Sequence, residues 1–344
     1  MTESSVLMPE RAGAAESALA ARATIVLGFL VYLSVVAAAW WGILRFLPDH
    51  LHVAVHGRAF DLRNVHRRIV DDGVLMFLLL PAALWIECWV VGWNRSSARQ
   101  LLVARTASAK TDLAYFLLGQ PHLTDLIGKL MTLGVSMLSG AWIHDRLSAG
   151  LGVPLTLVPA SASTPVQVAG YFLVYSFCDY WSHRLDHTRY FWPLHRYHHA
   201  ADEFCVVNAT RAHPAAFTGV FLVNMPMAIL GASAEVMVAV NLLVLGLGFL
   251  IHSRIDSDWG WIGRWVVQSP THHRLHHVLD ISTRPVGHFS MTPIWDRLFG
   301  TWRGDADQSL VIGVDTAYRH GFWIAPDILR DYWHFWKGLV QPPS

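Results

Sequence analysis

Thr24 to Leu44 runs 21 residues without a charged side chain. A helix rises about 1.5 Å per residue, so this run is long enough to cross roughly 30 Å of hydrocarbon, and it is read as a transmembrane helix. Ala37, Ala38 and Ala39 resemble the cleavage region of a signal peptide. The apolar stretch exceeds the about 7 to 15 residues such peptides use, which favours an uncleaved anchor. Val74 to Trp93 reads as a second span, and its one interruption, Glu87, is costly enough at that depth to predict a bundle-facing position with a partner. Leu130 to Ile143 is shorter and weaker. No charge occurs from Leu151 to Cys178, and Val166 onward reads as a further span ending at Asp179. Ala215 to Ile251 is 37 residues with the single charge Glu235, too long for one crossing, so a hairpin turning near Gly231 to Ser233 is expected.

The expected fold class is therefore all-α: a multi-span transmembrane helical bundle with a histidine-rich, metal-binding helical cap. Only 15% of residues are charged, against about 25% in an ordinary soluble domain, and 16 tryptophans suit the two bilayer interfaces. A formal charge of +1 leaves no basic field to gather nucleic acid, which excludes such partners. Cys88, Cys178 and Cys205 are too few and too far apart for a disulfide framework or a thiolate cluster. The chain divides into a polar tail (1–23), spans and loops (24–165), a histidine-rich region (166–304) and a C-terminal tail (305–344). Four crossings before residue 183 and a hairpin at 215–251 put every histidine cluster on one side of the membrane. The arginines there make that side cytoplasmic, although Arg45, Arg58, Arg63, Arg67 and Arg68 follow the first span and favour the opposite orientation.

Of 20 histidines, eight fall in three clusters: His183 and His187; His195, His198 and His199; His273, His276 and His277. Residues three and four apart share a helical face, so each cluster is expected to aim its imidazoles at one locus. Pro193 opens the turn bearing His195, while Ser269 as N-cap and Pro270 at the first helical position start the helix bearing His273. His252, ending the hydrophobic hairpin, is a ninth candidate. Nine imidazoles exceed one ion's needs, so two metals are the economical reading. Imidazole suits iron, zinc, copper and nickel alike. Lone histidines such as His122, His144 and His334, and the loop set His50, His52, His56 and His66, are read as surface or satisfied rings. His272 and His288 lie near the third cluster without joining it. Asp179, four residues before His183, is expected to orient that ring from an outer shell, with Asp186 as the alternative and His213 as a further outer-shell candidate. Asp256 is read as a solvated charge.

Asp179-Tyr-Trp-Ser-His183, Trp192-Pro-Leu-His195-Arg-Tyr-His198-His199, Asn208-Ala-Thr-Arg211-Ala-His213-Pro214, Ile251-His252-Ser253, Pro270-Thr-His-His273-Arg-Leu-His276-His277 and Ile294-Trp295-Asp296-Arg297-Leu298-Phe299-Gly300-Thr301 stand in this order. The pattern resembles the fatty acid hydroxylase and sterol desaturase superfamily of integral-membrane enzymes, over about Val166 to Gly304. Thr111-Asp112-Leu113 matches loosely. Where many members carry an Asn-Tyr-Gly-like element, this chain has Val286-Gly287-His288-Phe289. The resemblance implies that 166–304 is a di-iron domain in which His183, His187, His195, His198, His199, His252, His273, His276 and His277 hold two non-haem iron ions facing the cytosol and supply the catalytic site.

The expected function is an O2-dependent hydroxylase or desaturase acting on a lipid C–H bond, such as that of a fatty acyl chain or sterol. With no GxGxxG fingerprint and no cysteine cluster, electrons are expected from a separate donor of the ferredoxin or cytochrome b5 type with its reductase. Arg184, Arg189, Arg196, Arg211 and Arg274 are expected to dock it, to anchor lipid phosphates, or to pair with Asp186, Asp202 and Asp280. Alternatives are carotenoid, sterol-ring or ether-lipid oxidation at the same centre, a histidine-lined metal transporter, or a zinc hydrolase. The last lacks the His-Glu-x-x-His that would supply its base.

Overall fold

The structure, a computed structural model, describes residues 8–55, 58–62, 65–66, 73–119, 134–215, 218–279, 287–304 and 311–341. His56, His122, Asp280 and Val286 lie outside these residues. The chain forms two compact units, Met1–Ala98 and Arg99–Ser344.

In the first unit, α1 (Met8–Phe46) contains the predicted 24–44 run. A π-helical turn at Leu75–Leu79 leads into α2 (Leu80–Val91). Tyr32 of α1 stacks on Trp85 of α2 at 5.2 Å and donates to the Phe77 carbonyl at 3.0 Å. The predicted partner of buried Glu87 is Ser97, whose backbone N–H and hydroxyl donate to the carboxylate at 2.5 and 2.7 Å. Between the helices, β1 (Leu51–Val55) and β2 (Arg58–Leu62) pair antiparallel, with Leu51 opposite Leu62. Among the described residues this hairpin is the one sheet in an otherwise helical fold. The stretch that sequence reading treated as a histidine-bearing loop has enough β-branched and aromatic residues to pair locally.

The second unit comprises α3 (Ala107–Gly119), α4 (Gly134–Leu151), α5 (Thr164–Asp186), α6 (Trp192–His199), α7 (Met225–Ile229), α8 (Ala234–Ile251), α9 (Gly260–Trp265), α10 (Pro270–His276), α11 (Pro293–Leu298) and α12 (Ala325–Val340). The boundaries follow local chemistry. Ser233 caps α8 by accepting from the Val236 N–H, and Ser269 caps α10 by accepting from the His272 N–H, with Pro270 following. Helices α7 and α8 are joined by the predicted turn. Gly231 stands there at φ 82°, and a Cβ would lie 2.9 Å from the Leu155 carbonyl, so glycine meets both demands. Tyr171, Met227, Val236, Met237 and Val240 form a core joining α5, α7 and α8. Ala114, Tyr115, Tyr197 and Ile324 form another, joining α3, α6 and the entry to α12.

Two described helices combine the length and apolarity needed to cross a membrane: Leu19–Phe46 within α1, and α8. Helix α5 covers the stretch predicted as a further span but does not combine both properties.

Candidate metal centre

Four helices end at one place. His183 and His187 lie in the last turn and C-cap of α5, His195, His198 and His199 close α6, His252 is the C-cap of α8, and His273, His276 and His277 close α10. Four helix C-terminal regions thus supply the imidazoles.

The structure brings together all nine histidines singled out in the sequence, as two sets. His183, His187, His195, His199 and His276 form one, and His198, His252, His273 and His277 the other; within each, the ligand atoms lie within 4.8 Å of one another. The clusters do not each address one locus, as expected. His195 and His199 join the first set while His198 joins the second, and His273 and His277 join the second while His276 joins the first. The reason is rotation of about 100° per residue. Residues four apart diverge by about 40°, whereas sequence neighbours diverge by the full step. Each HxxHH triplet therefore straddles both sets.

Backbone carbonyls decide which nitrogen each set receives. His183 Nδ1 donates to the Phe289 carbonyl at 2.8 Å, His276 Nδ1 to Gly287 at 2.8 Å, His198 Nδ1 to Arg211 at 3.0 Å and His252 Nδ1 to Gly248 at 2.7 Å. A carbonyl only accepts, so in each neutral ring the proton is on Nδ1 and Nε2 carries a lone pair. Yet the Nε2 atoms of His183 and His276 face each other at 3.0 Å, and those of His252 and His198 at 3.4 Å. No proton lies between either pair. Lone pairs at that separation repel unless a cation joins them. Metal–nitrogen bonds of about 2.1 Å bring adjacent ligand atoms to about 3.0–3.4 Å, so the donor sets fit metal ions.

Protonation does not relieve the repulsion. Burial pushes His183 and His252 down to about 4. Burial, then the neighbouring imidazoles, hold His195, His198, His199, His273, His276 and His277 well below the ordinary histidine value. These eight rings are thus neutral at pH 7, the form a metal requires. Phe289 packs on His183, His187 and His276 at 5.3–5.7 Å between ring centroids, Trp192 on His187 and His199, and Phe204 on His252 and His277. These aromatic rings form part of the wall around the imidazoles.

Three carboxylates that sequence reasoning did not assign to the site hold this frame. Fully buried Asp112 on α3 pairs with Arg211 at 3.2 Å and accepts from the Asn208 amide at 2.6 Å. It thereby fixes the Arg211 carbonyl that orients His198. Asp296 accepts from the Phe289 and Ser290 N–H groups and the Thr301 hydroxyl, fixing the loop whose carbonyls orient His183 and His276. That loop needs Gly287, since a Cβ there would stand 1.8 Å from the Thr301 carbonyl oxygen. Asp331 on α12 binds Arg196, between His195 and His198, at 2.5 Å and accepts from the Tyr318 hydroxyl at 2.5 Å. The Asp112 and Asp296 positions stand within quoted motifs, so their signal was present; Asp331 had none.

Other expectations need correction. The partner of His183 Nδ1 is the Phe289 carbonyl, not Asp179, because α5 brings its last turn against the 287–292 loop. Asp186 accepts from the Thr218 hydroxyl at 2.8 Å, and burial lifts it to about 7. His213 faces α12, with Nε2 2.9 Å from the Ile328 carbonyl and Nδ1 accepting from the Ala215 N–H. As expected, His272 and His288 stay outside both sets, stacking on each other at 5.4 Å beside Trp302. Arg196 and Arg211 are consumed by Asp331 and Asp112, and Arg274 pairs at 2.7 Å with Asp256, which is an exposed charge outside both histidine sets, as expected. Arg184 and Arg189 remain exposed. Asp202 pairs with His320 rather than with an arginine.

Residues 168–301 match the family model described as fatty acid hydroxylase. Alkylglycerol monooxygenase of Xenopus tropicalis is 29% identical over 142 residues, covering 40% of this chain and 31% of that protein. The Danio rerio alkylglycerol monooxygenase is 25% identical over 181 residues, covering 48% and 40%. An ornithine lipid hydroxylase of Rhizobium tropici is 27% identical over 159 residues, covering 45% and 48%. The chain thus spans less than half the length of these relatives. No solved structure gives a significant match.

Proposed function

With residues 168–301 forming a fatty acid hydroxylase domain, the chain belongs to the fatty acid hydroxylase superfamily, and from that premise we propose that it is a membrane-bound, O2-dependent lipid hydroxylase. The observation that carries the reading is the pair of imidazole sets with Nε2 atoms facing inward, in which the lone pairs of His183 and His276 oppose each other at 3.0 Å and those of His198 and His252 at 3.4 Å. His183, His187, His195, His199 and His276 hold one iron ion, and His198, His252, His273 and His277 hold the second. Bound there, the two irons supply O2 activation and the oxidising power to attack an unactivated C–H bond.

The residues of the chain do the rest. Carbonyls of Phe289, Gly287, Arg211 and Gly248 hold the Nδ1 protons and fix ring orientation, as groups behind metal ligands do. Burial keeps eight of the rings neutral, and Phe204, Trp192 and Phe289 form part of the wall around them. Helix α8 is long enough to follow an acyl chain through the bilayer, and it ends on His252. The centre faces the cytoplasm on a multi-span bundle, and a separate ferredoxin or cytochrome b5 type donor delivers electrons. Exposed Arg184 and Arg189 are the cations available to an acidic donor from the five first considered.

Two of the relatives carry the name alkylglycerol monooxygenase, which favours ether-lipid oxidation as a second reading on the same centre. The test is metal analysis of purified protein, O2 uptake with an added reductant, and mass spectrometry of lipids from cells with and without the protein. Two equivalents of iron with a lipid gaining one oxygen support hydroxylation, and loss of alkyl ether with release of aldehyde supports the second reading. Exchangeable zinc without O2 uptake overturns both. Full turnover from NAD(P)H by the chain alone overturns the external donor.

A further inference from the structure

Helix α12, Ala325–Val340, is treated by the sequence as part of a tail, yet its two faces are chemically opposite. Its inner face buries Asp327, Asp331 and Phe335. Asp331 grips Arg196 and the Tyr318 hydroxyl, while Asp327 pairs with Arg330 at 3.1 Å and accepts from the Arg319 N–H. Its outer face presents Leu329, Trp333, Trp336 and Val340, spaced four, three and four residues apart along one stripe and 48–79% exposed. Phe322 and Trp323, just before the helix, are also exposed.

Water is the wrong solvent for that stripe, and the charges beside it indicate the right one. Both acidic residues of α12 are turned inward and engaged, so no carboxylate faces outward from it. Lys337 is exposed on the helix, and Arg319 is exposed before it. Indole rings at the level of the headgroups, aliphatic residues below and cations alongside are what a helix lying in the plane of a bilayer surface carries.

We propose that α12 is an in-plane membrane helix that seats its Leu329, Trp333, Trp336 and Val340 stripe in the headgroup boundary of an anionic lipid surface. Through Asp331 and Arg196, the seated helix braces the segment carrying His195, His198 and His199 on that surface. The inference stands apart from the metal reading.

The test places a photoreactive side chain in the full chain, as Trp333→p-benzoylphenylalanine or, separately, Trp336→p-benzoylphenylalanine. The protein is reconstituted in phosphatidylcholine vesicles containing phosphatidylglycerol and irradiated, and the 325–340 peptide is read by mass spectrometry. Phospholipid adducts are expected from both positions, with phosphatidylglycerol enriched over its share of the vesicle, and Lys337→Glu is expected to remove the enrichment while adducts persist. No lipid adduct at either position overturns the proposal in favour of a solvent-facing stripe. Cross-linked dimers in place of lipid adducts overturn it in favour of a second copy of the chain. Adducts in the bulk lipid ratio overturn the anionic preference.

Discussion

The two histidine sets are built from the same helices but are not equivalent. The first has five rings, of which His183, His187 and His195 are partly accessible; the second has four, of which His252, His273 and His277 are buried. Each has two rings locked by backbone carbonyls. Behind the first, those carbonyls belong to the 287–289 loop held by Asp296; behind the second, one belongs to Arg211, held by Asp112 from α3. In the second set, His273 and His277 have no partner for Nδ1 among the described residues. The second set is therefore smaller and deeper. The first has one ring more.

Removing one ring from each set tests that difference most severely. His198→Ala leaves three rings in the second set, and His276→Ala leaves four in the first. Both should abolish turnover. Metal analysis should show one equivalent lost in His198→Ala, and a retained but weakened ion in His276→Ala. Equal metal content in the two variants would break the asymmetry, and full metal with full rate in both would remove the assignment.

The carboxylates behind the sets should act separately. Asp112→Asn keeps shape and a hydrogen-bonding group but removes the charge opposite Arg211, and is expected to weaken metal at the second set about 10–100-fold. Asp296→Asn is expected to do the same at the first set. Metal titration of each variant, with circular dichroism to confirm the fold, reads which ion is affected. Two ions weakened alike by either change would show one rigid unit instead.

Acid should expose the lone-pair repulsion. The folded values of His183 and His252 lie at about 4, against about 6.5 in the unfolded chain. The unfolded state thus binds more protons between those limits, and through these rings the metal-free protein is expected to lose stability as pH falls from about 6.5 to about 4. The buried carboxyls of Asp179 and Asp186, both lifted to about 7, act in the opposite direction, so the sign is read from denaturant midpoints of the Asp179→Asn, Asp186→Asn double variant; a flat or rising profile there would contradict neutral rings. The smallest effect belongs to Asp179→Asn. The Phe289 carbonyl already occupies the His183 nitrogen that Asp179 was expected to hold, so less than the about tenfold lower bound of an outer-shell change is expected in metal affinity.

The nine histidines were legible because spacing survives without tertiary information: His183 with His187, His195 with His199 and His273 with His277 are each four apart, and each pair shares a set. The division of the triplets was legible in principle, since adjacent rings diverge by about 100°, but grouping each cluster around one point hid it. The Gly231 turn was readable from length and chemistry. What sequence could not supply came from distance along the chain or from the backbone. Asp112 reaches Arg211 across 99 residues and Asp331 reaches Arg196 across 135, and nothing local marks either pairing. The carbonyls of Phe289, Gly287, Arg211 and Gly248 leave no trace in residue type, because every residue has one.

That anonymity has an evolutionary consequence. A ring aligned by main chain survives exchange of the side chain on the aligning residue, provided the loop keeps its course. Phe289 also packs on three of the ligand rings, so it can change size and reshape the chamber while its oxygen goes on receiving the His183 proton. Descendants of such a protein can adapt to a new lipid by altering those walls, leaving the ligand geometry inherited intact.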